Sequence, residues 1–269
     1  MMTVLLGWKR AFAALGAGLL LAGCLEYGPH VLPSDASERE LNRKAIERLL
    51  ADPPAGPLVI AVLGDTQESF DEAEDAVASV NARGDVQLVV QIGDFTHVGT
   101  LLEYRLMNDV LARLRVPYLV VAGYHDLLGN GARIYAEMFG PTNFAFDLGR
   151  VRLVFYDSNS EAYGHDGSVP DLAWLEAALG AAPDPEHALA FSHIAPDGDS
   201  LFDPRLAEPL LALLAGAGVD LSLHGHAHRA DAFELGGVSI VLADSLDHRT
   251  WVLVRQREDG GFDVERVPF

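Results

Sequence analysis

The sequence predicts an α/β fold, a sandwich of two β-sheets with helices on the outside. Three observations predict it. First, five mostly apolar runs stop abruptly at aspartate or histidine. Residues 58–63 lead into Gly64-Asp65-Thr66-Gln67, 88–92 into Gly93-Asp94-Phe95-Thr96-His97, and 118–122 into Gly123-Tyr124-His125-Asp126. Residues 188–191 lead into Ser192-His193, and 219–223 into His224-Gly225-His226-Ala227-His228. Second, helical patterns alternate with these runs. Third, the last forty residues read almost entirely as strand and turn. A short β-rich run without alternation is a strand covered on both faces, and in open α/β sheets chemistry gathers beyond the carboxyl ends of such strands.

The N-terminus stands apart from the fold. Lys9 and Arg10 precede an apolar stretch at 11–21, the basic and hydrophobic regions of a secretory signal, too short to span a bilayer. Leu21-Ala22-Gly23-Cys24 resembles a bacterial lipobox, which implies removal of residues 1–23 and lipidation of Cys24, the only cysteine. The alternative is an ordinary signal peptide with an incidental cysteine. Leu25, rather than aspartate, resembles lipoproteins sent to the outer membrane. The expected location is therefore the bacterial cell envelope, with the membrane met through the lipid anchor only.

Losing Lys9 and Arg10 with residues 1–23 lowers 19 Lys and Arg to 17, against 39 Asp and Glu, a net charge of −22. Such a surface is not expected to bind nucleic acid. It also repels phosphorylated substrates, so a phosphate-directed site needs cations to reverse the local field. Residues 24–56 are expected to form the lipidated terminus, a tether and a short helix. Residues 57–269 are enough for one domain with a single large core.

Along the chain, Ser37-Glu38-Arg39-Glu40 offers a capping box before a stripe of Leu41, Ile46, Leu49 and Leu50, and Asp52-Pro53-Pro54 closes that helix. Further helices are expected at 68–82, 101–114, 131–138, 170–180 and 205–217. The stripe Leu206, Leu210, Leu213 and Leu214 marks the last one as core-facing. Residues 143–148 and 151–157 flank Gly149-Arg150 as a hairpin. The tail strands are expected at 229–235, 238–243, 250–256 and 262–267. The order implies one mixed sheet and one largely antiparallel one.

The five strand ends, in this order and spacing, resemble the calcineurin-like metallophosphoesterases over residues 58 to about 230. Their pattern runs Asp-x-His, Gly-Asp, Gly-Asn-His-Asp/Glu, a lone His, then Gly-His-x-His. The resemblance implies an αββα sandwich of two mixed sheets holding two divalent or mixed-valence metal ions (Mn, Fe or Zn). It implies that Asp65 and His228 bind the first ion, that Asp94 bridges both, and that His193 and His226 bind the second. His125 would assist the leaving oxygen, with Asp126 as its orienting partner. For His226 and His228 to reach neighbouring ions the backbone must bend, and Gly225 is expected to permit this. His97 follows Asp94 closely enough to reach the site, whereas His224 reads as structural.

Two positions depart from the family pattern. Gln67 stands where a histidine ligand is usual and would bind through its carbonyl oxygen, a harder donor. Tyr124 stands where asparagine binds the second metal. A phenol ligates only if the metal strips its proton, so Tyr124 either coordinates or turns away. The resemblance implies a hydrolase acting on a phosphate-ester small molecule or phosphorylated macromolecule. The alternative is a lipoprotein that kept the sandwich and uses its cleft for binding or scaffolding.

Overall fold

The computed structural model describes residues 31–180 and 185–269, so the signal sequence and Cys24 lie outside the described residues. Among the described residues, eleven strands form two sheets. In the first sheet, β1 (Val59–Leu63), β2 (Leu88–Gln91) and β3 (Tyr118–Val120) run parallel, and β10 (Thr250–Gln256) and β11 (Phe262–Pro268) add antiparallel on the β1 side. The second sheet has the order β4 (Phe144–Leu148), β5 (Val151–Phe155), β6 (His187–Phe191), β7 (Leu221–His224), β9 (Val238–Leu242), β8 (Asp231–Leu235). Its central four strands are parallel and its two edge strands antiparallel. Both sheets are therefore mixed, and neither is largely antiparallel. The tail strands divide between the sheets: one hairpin widens the first, while β9 joins β7 in parallel. Hydropathy cannot foretell that division, because both destinations bury the same residue types.

Helices cover the outer face of each sheet. On the first lie α2 (Phe70–Arg83), α3 (Leu101–Leu111) and α4 (Gly131–Met138). The α2 helix buries Ala73, Ala76, Val77 and Val80, one face at a helical period. A capping box between Thr100 and Glu103 starts α3, satisfying amide groups that the helix itself cannot. On the second sheet lie α5 (Leu172–Gly180) and α6 (Pro204–Gly216), the latter burying Leu210, Leu211 and Leu214. Between the sheets, Ile60, Val62, Leu88, Val90, Leu153, Phe155, Phe191 and Leu223 form the central layer. Phe155 stacks on Phe144 and Phe191 at 4.5 and 4.8 Å.

The N-terminal helix departs from expectation. Residues Ala36–Glu38 form a single 3-10 turn, and α1 (Leu41–Ala51) begins behind Glu40, whose backbone is left-handed. Ser37 bonds to Asp35 instead of capping the helix. Packing decides this: Leu49 reaches the inter-sheet layer, and Asn42 pairs with both the carbonyl and the amide of Val120 at 2.9 Å. The asparagine thereby completes the open edge of β3, as an added strand would. Among the described residues, no helix is long and apolar enough to cross a membrane.

Candidate metal centre

The parallel strands of both sheets end at one rim. Asp65 lies just past β1, Asp94 past β2, His125 past β3 and His193 past β6, while His226 and His228 follow β7. Hydrogen bonds close the rim across long sequence separations. The amides of Thr66 and Gln67 both donate to the Asp94 carbonyl, at 3.1 and 2.9 Å, and the Gly225 amide donates to the His193 carbonyl at 3.0 Å. The His125 amide donates to Oδ1 of Asp94 at 2.8 Å, and the His226 amide to Oδ1 of Asp65 at 2.9 Å.

This approach needs space that only glycine leaves. A Cβ on Gly123 would stand 2.0 Å from the Asp94 nitrogen, and one on Gly225 would stand 2.7 Å from Oδ1 of Asp65. The bend expected through His226-Ala227-His228 is present: His226 and His228 have φ of 65° and 46°. Gln67 and Asp94 are left-handed too, at 41° and 49°. Such conformations cost about 1–3 kcal/mol each and persist only where surrounding contacts hold them, commonly at functional sites.

Donor atoms of Asp94, His193 and His226 all lie within 4.8 Å of one another. His193 is fully buried, and its Nδ1 donates to the Ile92 carbonyl at 2.9 Å. That bond leaves Nε2 as the free lone pair. Nε2 stands 3.1 Å from Oδ2 of Asp94, yet it makes no hydrogen bond. A buried polar atom without a partner is costly. Here two donor atoms lie side by side without a hydrogen bond between them. Beside them, Nε2 of His228 faces Oδ2 of Asp65 at 3.0 Å. A donor set of carboxylates and imidazoles suits Mn, Fe or Zn, and the orphaned Nε2 fits a cation placed among these residues.

Electrostatics agree. Burial disfavours the charged ring of His193, but Asp94 and Asp65 overcome it and push its pKa up to about 10. Burial would raise Asp94, and the charge of His193 holds it below its ordinary value instead. The two carboxylates thus favour positive charge at this point.

The structure brings Asp65, Asp94, His193, His226 and His228 together. Gln67 and Tyr124 adjoin them through the backbone, but neither side chain makes a hydrogen bond among the described residues, and the Tyr124 ring meets His125 edge-on at 6.0 Å. The expected pairing of Asp126 with His125 is absent. Oδ1 of Asp126 accepts from the amide and hydroxyl of Thr96, and Oδ2 accepts from the Gly123 amide. Burial and the nearby charge of Asp94 push Asp126 up to about 8 against those donors. The group that orients His125 is a backbone one: its Nδ1 lies 2.6 Å from the His97 carbonyl, and the His97 ring stacks on it at 5.4 Å. An i+1 carboxylate beside a histidine is an attractive partner in sequence, but in this turn successive side chains point apart.

His224 is structural, as expected. Its ring is fully buried between the hydroxyls of Ser192 and Ser222, at 3.0 and 2.9 Å, and burial followed by the charge of His193 lowers it to about 3. Asp199 was not singled out in the sequence, yet its Oδ2 lies 3.2 Å from Nε2 of His226. The available signal was a second acidic residue in the loop just past the His193 strand end.

The calcineurin-like phosphoesterase family model matches residues 58–230. A protein of Arcobacter nitrofigilis named probable glycerophosphodiester phosphodiesterase GpdQ is 29% identical over 69% of this chain and 72% of its own length. One of Rhodopseudomonas palustris, named a probable cyclic nucleotide phosphodiesterase, is 30% identical over 65% of this chain and 69% of its own. Among solved structures, a dimetal phosphatase of Danio rerio shares the fold, with a TM-score of 0.60 at 18% identity, over 80% of this chain and all of that one.

Proposed function

Because the chain belongs to the calcineurin-like phosphoesterase family, we propose that it hydrolyses a phosphodiester with the help of two metal ions held at the rim. The observation that carries this reading is the convergence of Asp94, His193 and His226 within 4.8 Å around a buried, unbonded imidazole nitrogen. Asp65 and His228, with the Gln67 carbonyl oxygen, would hold one ion. His193 and His226 would hold the other, and Asp94 would serve both. Tyr124 turns away. The curated relatives above carry phosphodiesterase names, which favours a diester over a monoester.

Bound cations would supply Lewis-acid polarisation of the phosphoryl oxygens and acidify the attacking water. The chain's own residues set the rest. The carbonyl of His97 accepts from Nδ1 of His125, which leaves Nε2 of that ring to exchange a proton with the departing alcohol. Asp126, through Thr96 and Gly123, holds together the two loops that carry Asp94 and His125. The Ile92 carbonyl keeps the second ring nitrogen of His193 directed at the cluster. In the cell, the reading places this site in the envelope, tethered through Cys24.

The test is turnover of an aryl phosphodiester and an aryl phosphomonoester by purified protein, stripped of metal and reloaded with Mn, Fe or Zn. Metal-dependent cleavage with the diester preferred is expected. No turnover from folded, loaded protein would refute the reading, and cleavage of the monoester alone would refute the diester assignment.

A further inference from the structure

We propose that His97 is a positioning residue for His125, acting through the face of its ring as well as through its carbonyl, and that Tyr124 completes the clamp. The inference rests on the assignment of His125 to the leaving alcohol above, and it gives roles to two side chains that the family pattern does not contain.

One hydrogen bond does not fix an imidazole. The bond from Nδ1 of His125 to the His97 carbonyl, 2.6 Å long, anchors one atom and leaves the ring free to tilt about it. Two ring contacts restrict that tilt. The His97 ring stacks on it at 5.4 Å with 27° between the planes, and the Tyr124 ring meets it at 6.0 Å and 86°. Stacked and edge-to-face are the arrangements that ring pairs favour. His125 is only half-buried, so the core does not enclose its ring.

His97 is itself held from both sides. Thr96 before it donates twice to buried Asp126, and the Val98 amide after it donates to Oε1 of Glu103 at 3.3 Å. Gly99 runs so close to the next turn that a Cβ there would stand 2.6 Å from the Leu128 carbonyl oxygen. The loop therefore presents the His97 ring from a pinned backbone. The ring's own chemistry shows which part of it serves. Nδ1 of His97 is buried and makes no hydrogen bond among the described residues. A ring kept for a hydrogen bond at that atom would not leave it bare, because a buried polar atom without a partner is costly. What remains is the face, laid against His125.

Proton transfer supplies the reason. A general acid must lie within hydrogen-bond reach of the departing oxygen and be aligned with it, and small misplacements of a reacting group are expensive in rate. The clamp also accounts for Tyr124. Asparagine at that position offers an amide oxygen, whereas tyrosine offers a ring to His125. The substitution exchanges a ligand for a wall.

The test gives the full chain, loaded with Mn(II), two methyl phosphodiesters, one losing 4-nitrophenol and one losing an unactivated alkyl alcohol. Only the alkyl alcohol needs a proton supplied as it departs. His97→Ala is expected to lower kcat about thirtyfold on the alkyl diester and under about threefold on the nitrophenyl one, with KM within about twofold on each. Tyr124→Ala should show the same selectivity, at about fivefold on the alkyl diester. His97→Phe keeps a ring and drops both nitrogens, so it should stay within about threefold of wild type on both. A second readout needs neither metal nor turnover. In the metal-free chain, the Nδ1 proton of His125, identified by its loss in His125→Ala, should persist by nuclear magnetic resonance in wild type and His97→Phe and exchange away in His97→Ala. Thermal midpoints and metal content of the His97 and Tyr124 variants should match wild type. Equal losses on the two diesters, or His97→Phe as impaired as His97→Ala, would overturn the proposal. Equal losses in His125→Ala would overturn the assignment of His125 to the leaving alcohol, and no turnover by wild type would overturn the phosphodiester reading; this inference falls with either.

Discussion

Both the amide and the hydroxyl of Thr96 donate to Oδ1 of Asp126, at 2.9 and 2.8 Å, across thirty residues of chain. Asp126 is fully buried and clamps the loop after β2 to the turn after β3. Asp126→Ala would leave the amides of Thr96 and Gly123 without acceptors in the interior. Each such group costs about 1–3 kcal/mol, so we expect a loss of about 3 kcal/mol or more in urea denaturation. His125→Ala, at a half-buried position, should cost under about 1 kcal/mol yet lower turnover by roughly a hundredfold or more. Equal effects of the two variants on stability would contradict this division of labour.

Asp94→Asn tests the shared carboxylate. Its backbone φ of 49° is left-handed, a conformation in which asparagine is at home, so the variant should fold. It removes a negative charge from the proposed two-metal site, and most bound metal should disappear along with activity. Wild-type metal content by elemental analysis would rule out a bridging role.

Asp85 offers a pH readout remote from the rim. It accepts from Arg83 at 3.1 Å and also from Arg255, joining the end of α2 to β10. The hydrogen bond from Arg83 leads in lowering its pKa to about 2. The folded value lies below the unfolded one near 3.9, so this stabilisation is complete above about pH 4 and fades as pH falls through about 2. The carboxylate is partly exposed, so solvent screening limits the effect to about 1 kcal/mol. Asp85→Asn should lower the unfolding free energy at pH 7 by that amount, and the deficit should shrink as pH falls toward 2. A deficit as large at pH 2 as at pH 7 would mean that charge is not the cause.

Cys24→Ser tests the proposed envelope anchor. The variant should remain folded, and when expressed in a bacterium it should move from the detergent phase to the aqueous phase on cloud-point separation. Unaltered partitioning would place the anchor elsewhere.

Most of the architecture was legible because periodicity and strand-end chemistry are local. Helices at 131–138 and near 101–114, and the hairpin at Gly149-Arg150, follow from patterns that the chain carries whatever surrounds it. The N-terminal capping box does not form because Ser37 and Glu40 satisfy a local rule that docking of Asn42 and Leu49 overrides. The partner of His125 differs from the expected Asp126 for a related reason. Sequence lists side chains, and the group that fills the role is the main-chain carbonyl of His97.

What the sequence by itself determined is the identity and order of the strand-end carboxylates and imidazoles, the family they belong to, and the glycines that let them approach. The tertiary structure alone decided how the tail strands divide between the sheets, that Asp126 faces inward, and that Asp199 lies against His226. Those facts depend on which surfaces meet when two sheets pack face to face. A contact made across a sheet interface leaves no periodic trace in either segment that forms it.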